Sequence, residues 1–213
     1  NTDMQDLAKS EAPKRLLLGE HVTRGLGAGG LPHKGEAAAE ESANQISEAL
    51  KGADIVFIAV GTPDGKNGAD LTQVYTAAAE IARNLKSGYT VVVDKSTVPP
   101  GTADEVTLIL NKYKKKGAKF DVVSSPEFLR QGNAVEDTTK PNRVVIGSAS
   151  KKATDLLVKL HTPLKCPIVI TNVRSAEVIK YTANAYLSMR IGFIDQIANL
   201  CEKMGADIND IIR

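Results

Sequence analysis

The sequence contains no tryptophan and only 4% aromatic residues, so it offers little to stack against single-stranded bases. Charge of one sign is equally scarce. The 27 Lys and Arg are balanced by 25 Asp and Glu, a net charge of +2. Nothing in that balance suits a nucleic acid or an anionic membrane as partner. Long hydrophobic runs are missing too: residues 55–60 and 91–93 fall far short of the ~20 residues that span a bilayer. Only two cysteines are present, Cys166 and Cys201, far apart and without metal-ligand spacing. They imply a reduced, cytoplasmic setting with two ordinary buried thiols and no metal site. The opening residues, NTDMQDLAKSEAPK, do not follow the charged-then-apolar plan of a secretory leader.

What is present from residue 53 onward is regular alternation. ADIVFIAVG (53–61) is almost continuously apolar, as a strand buried on both faces is. DLTQVYTAAAEIARNLK (70–86) opens on Asp70 as an expected N-cap and sets Val74, Ala77, Ala78 and Ile81 on one helical face. Strands come next at YTVVVDKST, FDVVSSPEF, NRVVIGSAS and PIVITNV, with helical stretches after the first and third of them. This order predicts an α/β fold, a doubly wound and mainly parallel Rossmann-like sheet with helices on both faces. The helical pattern over 174–205 has no internal breaker except Gly192, and Gly205 is a natural C-cap. Its length predicts an element that links two domains or forms a dimer seam. For its apolar stripe (Leu187, Ile191, Ile194, Ala198, Cys201), a second copy and the chain's own next domain stay open as partners. ADINDIIR begins another helix on which the sequence stops, so a truncated domain is expected.

Three polar loops share one placement. GTPDGKNGADL, KSTVPPGT and SPEFLRQGNAVED each follow the carboxyl end of a predicted strand, the edge at which parallel α/β sheets bind ligands. Thr62, Ser96 and Thr97 offer hydroxyls beside helix N-termini, where free N–H groups favour anions; simple capping is the plain alternative for each. Glu127, between Pro126 and Phe128, suits a carboxylic acid tuned for proton transfer, or else a surface carboxylate. Lys180 and Asn184 lie four apart and share a helical face. Together they suit oxyanion stabilisation. Taken by themselves, they read more readily as solvated side chains.

ADIVFIAVGTP, VVVDKSTVPPGTADEV, FDVVSSPEFLRQGNAVEDTTKPNRVVIG and SAEVIKYTANAYLSMRIGFIDQIANLCEKMGAD resemble the nucleotide-sugar dehydrogenases of the UDP-glucose 6-dehydrogenase type, without a gap over about 53–213. That family oxidises a sugar C6 alcohol to a carboxylate in two NAD-dependent steps through a cysteine-bound intermediate. The resemblance implies catalytic roles for Thr97, Glu127, Lys180 and Asn184. It implies NAD contacts at Gly61, Thr62, Pro63, Ser96, Thr97 and Gln131, and a sugar-nucleotide site lined by Phe128 and Leu129. UDP-glucose or a related nucleotide sugar is the implied substrate, and a homodimer through the long helix the implied assembly. There are departures from the pattern. Gln131 stands where the family has Glu, and the Gly-Gly-Ser-Cys-Phe-Pro segment of the nucleophile does not occur. Cys201 is a helix residue and not that nucleophile. The family's first Gly-rich turn does not occur either, so weak cofactor binding and no turnover are expected.

Residues 1–60 resemble a different family, the tubulin-like division GTPase FtsZ, through NTDMQDL and LLLGEHVTRGLGAGGLPHKGEAAAEESANQISEALKGADIVFIAVG. That likeness implies a guanine nucleotide edge, for GTP or GDP, at Asn1, Asp3, Gly27, Ala28, Gly29 and Gly30. Gly25, Gly27 and Gly30 also fit the spacing G-x-G-x-x-G, but Pro32 and Gly35 interpose before the next helix, unlike a dinucleotide turn. The expected division is an FtsZ-like segment over 1–52, a partial NAD-binding domain over 53–173, and a connecting helix over 174–213, as in a chimera.

Overall fold

The computed structural model describes residues 16–18, 47–50, 52–66, 68–130 and 132–213. Six strands form one sheet: β1 (Leu16–Leu18), β2 (Ile55–Ile58), β5 (Gly88–Asp94), β6 (Ala118–Ser124), β7 (Val144–Gly147) and β8 (Ile168–Thr171), in that spatial order. Every pairing is parallel except a single antiparallel contact, Ser124 opposite Gly147. The two-residue strands β3 (Asp64–Gly65) and β4 (Gly68–Ala69) form a separate ribbon in the loop after β2. The sheet is joined by helices α1 (Thr72–Asn84), α2 (Thr102–Tyr113), α3 (Ala134–Thr139), α4 (Lys151–His161), α5 (Val173–Met204) and α6 (Ile208–Ile211), with a 3-10 turn at Thr162–Leu164.

Alternation along the strands divides the core in two. Val56, Ile58 and Val92 point to one face, where Val74, Ala77, Ala78 and Ile81 of α1 and Val106 and Leu110 of α2 cover them. Ile55, Phe57, Val91 and Val93 point to the other, against Ala153, Leu157 and Val158 of α4. Helices therefore lie on both faces, as the β-α-β rhythm predicts.

Local signals are met with small shifts. Asp70 sits one residue outside the expected cap: Leu71 is the N-cap, and the Asp70 carboxylate accepts from Thr72 N at 2.9 Å. Asn172 caps α5 through Ser175 N, and Gly205 ends it in the left-handed conformation. α5 passes through Gly192 unbroken for 32 residues. The short helix α3 inside the loop after β6 is not foreshadowed by the sequence pattern. The apolar stripe on α5 is mostly uncovered among the described residues. Leu187, Ile191 and Ile194 are exposed, Ala198 is half-buried, and Cys201 turns inward and is buried.

Candidate active site

The loops after β2, β5 and β6 converge because these three strands are parallel neighbours. The first two are stitched together. Ser96 Oγ donates to Val60 O and accepts from Val60 N, both at 2.9 Å. Thr62 Oγ1 donates to Thr97 O at 2.8 Å. These hydroxyls hold the loops in register, with their protons committed to backbone carbonyls rather than the oxygens capping a helix N-terminus. Gly61 and Pro63 are exposed; Thr62 and Thr97 are half-buried.

Opposite them stands the loop after β6. Glu127 Oε2 accepts from Leu129 N, and Oε1 accepts from Lys180 Nζ at 2.9 Å. Lys180 is only 5% exposed, so the reading of it as a solvated helix lysine is corrected. Phe128 lies with the Arg143 guanidinium 4.5 Å and Lys180 Nζ 5.4 Å from its ring centre, distances of cation–π contact. Leu129 is exposed, and Asn184 is exposed one turn beyond Lys180. The structure thus brings Glu127, Phe128 and Lys180 into direct contact and leaves Asn184 on the rim.

Four groups that the sequence reading did not single out also gather here. Asp94 ends β5, fully buried; burial, opposed by the Ser96 N–H and reinforced by the Glu177 charge, pushes its carboxyl up to about 7. Burial pushes the neighbouring Lys95 ammonium down to about 8, with Glu127 opposing and Lys180 adding to the effect. Glu177 is 2% exposed and accepts from Gly101 N at 2.7 Å and Ala103 N at 3.0 Å. Asp94 Oδ2 and Ser125 Oγ are buried and find no hydrogen-bond partner among the described residues. The available signal was the pair of charged residues, Asp94 and Lys95, closing an otherwise apolar strand. Gln131, and the nucleotide-edge candidates Asn1, Asp3, Gly27, Ala28, Gly29 and Gly30, lie outside the described residues. Among the described residues no group of His, Cys, Asp or Glu is arranged to hold a metal ion, and no helix is long and apolar enough to cross a membrane.

Comparison with known proteins gives this crevice a context. The UDP-glucose/GDP-mannose dehydrogenase family matches through its NAD binding domain over residues 33–165 and through its central domain over 174–213. The UDP-glucose 6-dehydrogenase TuaD of Bacillus subtilis is 51% identical over 169 residues, 79% of this chain and 36% of TuaD. The UDP-glucose 6-dehydrogenase of Rhizobium meliloti is 48% identical over 80% of this chain and 40% of its own length. The chain thus spans about two fifths of these relatives. Among solved structures, a UDP-glucose dehydrogenase from the archaeon Pyrobaculum islandicum superposes with a TM-score of 0.74 at 34% identity, covering 90% of this chain and 47% of that one. The NAD-binding match begins at residue 33, inside the stretch likened to FtsZ. Residues 33–52 are accordingly dehydrogenase-family sequence. The FtsZ-like segment, the chimera and a guanine nucleotide gain no support.

The described residues fit one edge of a dinucleotide. At Gly61 the backbone is open: an added Cβ would meet nothing nearer than Gln73 Oε1 at 3.9 Å. The N-terminus of α2, by contrast, already holds the Glu177 carboxylate.

Proposed function

Because the chain belongs to the UDP-glucose/GDP-mannose dehydrogenase family, we propose that it builds the NAD edge and the Lys180 wall of a nucleotide-sugar dehydrogenase site that oxidises the C6 alcohol of UDP-glucose or a close relative. The observation that carries this reading is the ion pair of buried Lys180 with half-buried Glu127, 2.9 Å apart and 53 residues apart in sequence. A buried ammonium held by one carboxylate is a preorganised cation, suited to a developing alkoxide or oxyanion.

In this reading Lys180, with Asn184 on the rim, steadies negative charge on the substrate oxygen. Glu127 serves in acid/base chemistry beside it. Phe128 and Leu129 line the sugar-nucleotide site. Gly61, Thr62, Pro63 and Thr97 edge the cofactor, Ser96 keeps that edge in register, and Gln131 adds an amide. NAD, when bound, supplies the hydride acceptor. The domain division falls at residues 173 and 174, and α5 pairs with a second copy.

Neither thiol serves as the nucleophile. Cys166 packs against the core beneath α4. Cys201 lies 21 residues beyond Lys180, a distance of ~31 Å along the helix at its usual rise. The 213 residues by themselves therefore bind but do not turn over.

Calorimetric titration with UDP-glucose in the presence of NAD tests the proposal. Weak binding is expected, weakened further by at least about tenfold in Lys180→Met, as loss of a charged hydrogen-bond donor predicts. Equal affinity in parent and variant would overturn it, as would steady NADH production by the 213 residues.

A further inference from the structure

Helix α2 begins at a residue that is unable to cap it. Gly101 has φ of 102°, a left-handed conformation suited to glycine, and glycine carries no side chain to accept the first free N–H groups. The missing acceptor comes from another element. Glu177 on α5 places Oε2 on Gly101 N and Oε1 on Ala103 N, across 76 and 74 residues of sequence. A carboxylate at a helix N-terminus is favoured by both the unpaired N–H groups and the helix dipole.

We infer that Glu177 is a positioning residue, whose cap on α2 fixes the Thr97-bearing loop against the Lys180–Glu127 pair. The geometry is short-range on both sides. Lys180 follows Glu177 by three residues, so the two side chains leave neighbouring positions on one helical face. The loop that α2 terminates contains Ser96 and Thr97, which are bonded to the β2 loop through Val60 and Thr62. The first turns of α5 are held from another direction as well. A Cβ on Gly147 of β7 would stand 2.4 Å from Ala176 Cβ, so strand and helix meet at glycine distance. With Ala176 against β7 and Glu177 in α2, the helix has little freedom to turn or slide. Lys180 inherits that placement.

The inference rests on the proposed function only in that Thr97, Glu127 and Lys180 form the site. Its test separates the two. The 213-residue chain is compared with Glu177→Gln, which keeps one acceptor, and Glu177→Ala, which keeps none. Amide exchange at Gly101 and Ala103 reports the cap. The side-chain NMR signal of Lys180, assigned by its loss in Lys180→Arg, reports the positioning. Exchange should accelerate at least about tenfold in Glu177→Ala and less in Glu177→Gln. The Lys180 signal should move toward that of an exposed lysine in the same order. Should Glu177→Ala fail to fold, the isosteric Glu177→Gln carries both readouts. Protection lost with the Lys180 signal unmoved would reduce Glu177 to a cap and overturn the inference. Unchanged protection would overturn it as well. If UDP-glucose and NAD leave the parent's Lys180 signal untouched, the proposed site fails, whatever Glu177 does.

Discussion

Asp94 carries the clearest pH consequence of any residue in the crevice. An unfolded aspartate ionises near 3.9, whereas burial and the nearby Glu177 charge raise the folded group to about 7. Between those values the folded protein keeps a proton that the unfolded chain has lost. The stability from this group is therefore full below about pH 4, declines as pH rises, and is gone above about pH 7. Asp94→Asn keeps an acceptor for Ser96 N, bonded at 3.1 Å in the parent, and removes the titration. The melting temperature of the variant relative to the parent is expected to climb between about pH 4 and about pH 7 and to level off above that. Parallel melting curves across that range would show that Asp94 is not the titrating group. VVVDKST shows a charged pair closing an apolar strand but not that Asp94 is buried. Its burial is set by β2 and β6 on either side, through contacts that no local pattern encodes.

At the scale of elements, α5 behaves as two helices in one. One face of its first turns is buried, with Ala176, Glu177 and Lys180 against β6, β7 and α2, and most of its later residues are exposed. Periodicity announced the helix and Gly205 its end, because hydrophobic spacing and capping are local properties. Which polar residues on it were buried was not legible, since Glu177 and Lys180 look like any solvated pair until the facing elements are known. Gly147 is where β7 meets α5 most closely. Gly147→Ala should push the helix outward and cost about 1–3 kcal/mol, as overpacking of a tight contact does. Urea denaturation measures that loss. An unchanged midpoint would mean the strand can retreat instead.

At the scale of the molecule, two cores back a sheet whose carboxyl-end loops carry the candidate site, while α5 projects an apolar surface that nothing in the described residues covers. Leu187 is 53% exposed and Ile191 55%, both on a helix of ~48 Å at the standard rise. A second copy of this helix is the proposed cover. Sedimentation velocity should find a dimer, and Leu187→Glu should shift it toward monomer by placing a charge in the seam. A parent chain that stays monomeric at every concentration would leave α5 to a different partner.

The sequence by itself determined the strand and helix rhythm, the three polar loops at strand ends, the long final helix and the dehydrogenase resemblance over 53–213. Each follows from local spacing, composition or motif. It also assigned the stretch from 33 to 52 to a different family, because an acidic, alanine-rich composition carries little information of its own. Tertiary structure alone decided that Lys180 is buried on Glu127, that Ser96 is a cross-brace, and that Glu177 caps a helix more than seventy residues away. The reason is physical: burial and hydrogen bonding of a polar group are settled by the elements that face it, and those elements are distant in the chain.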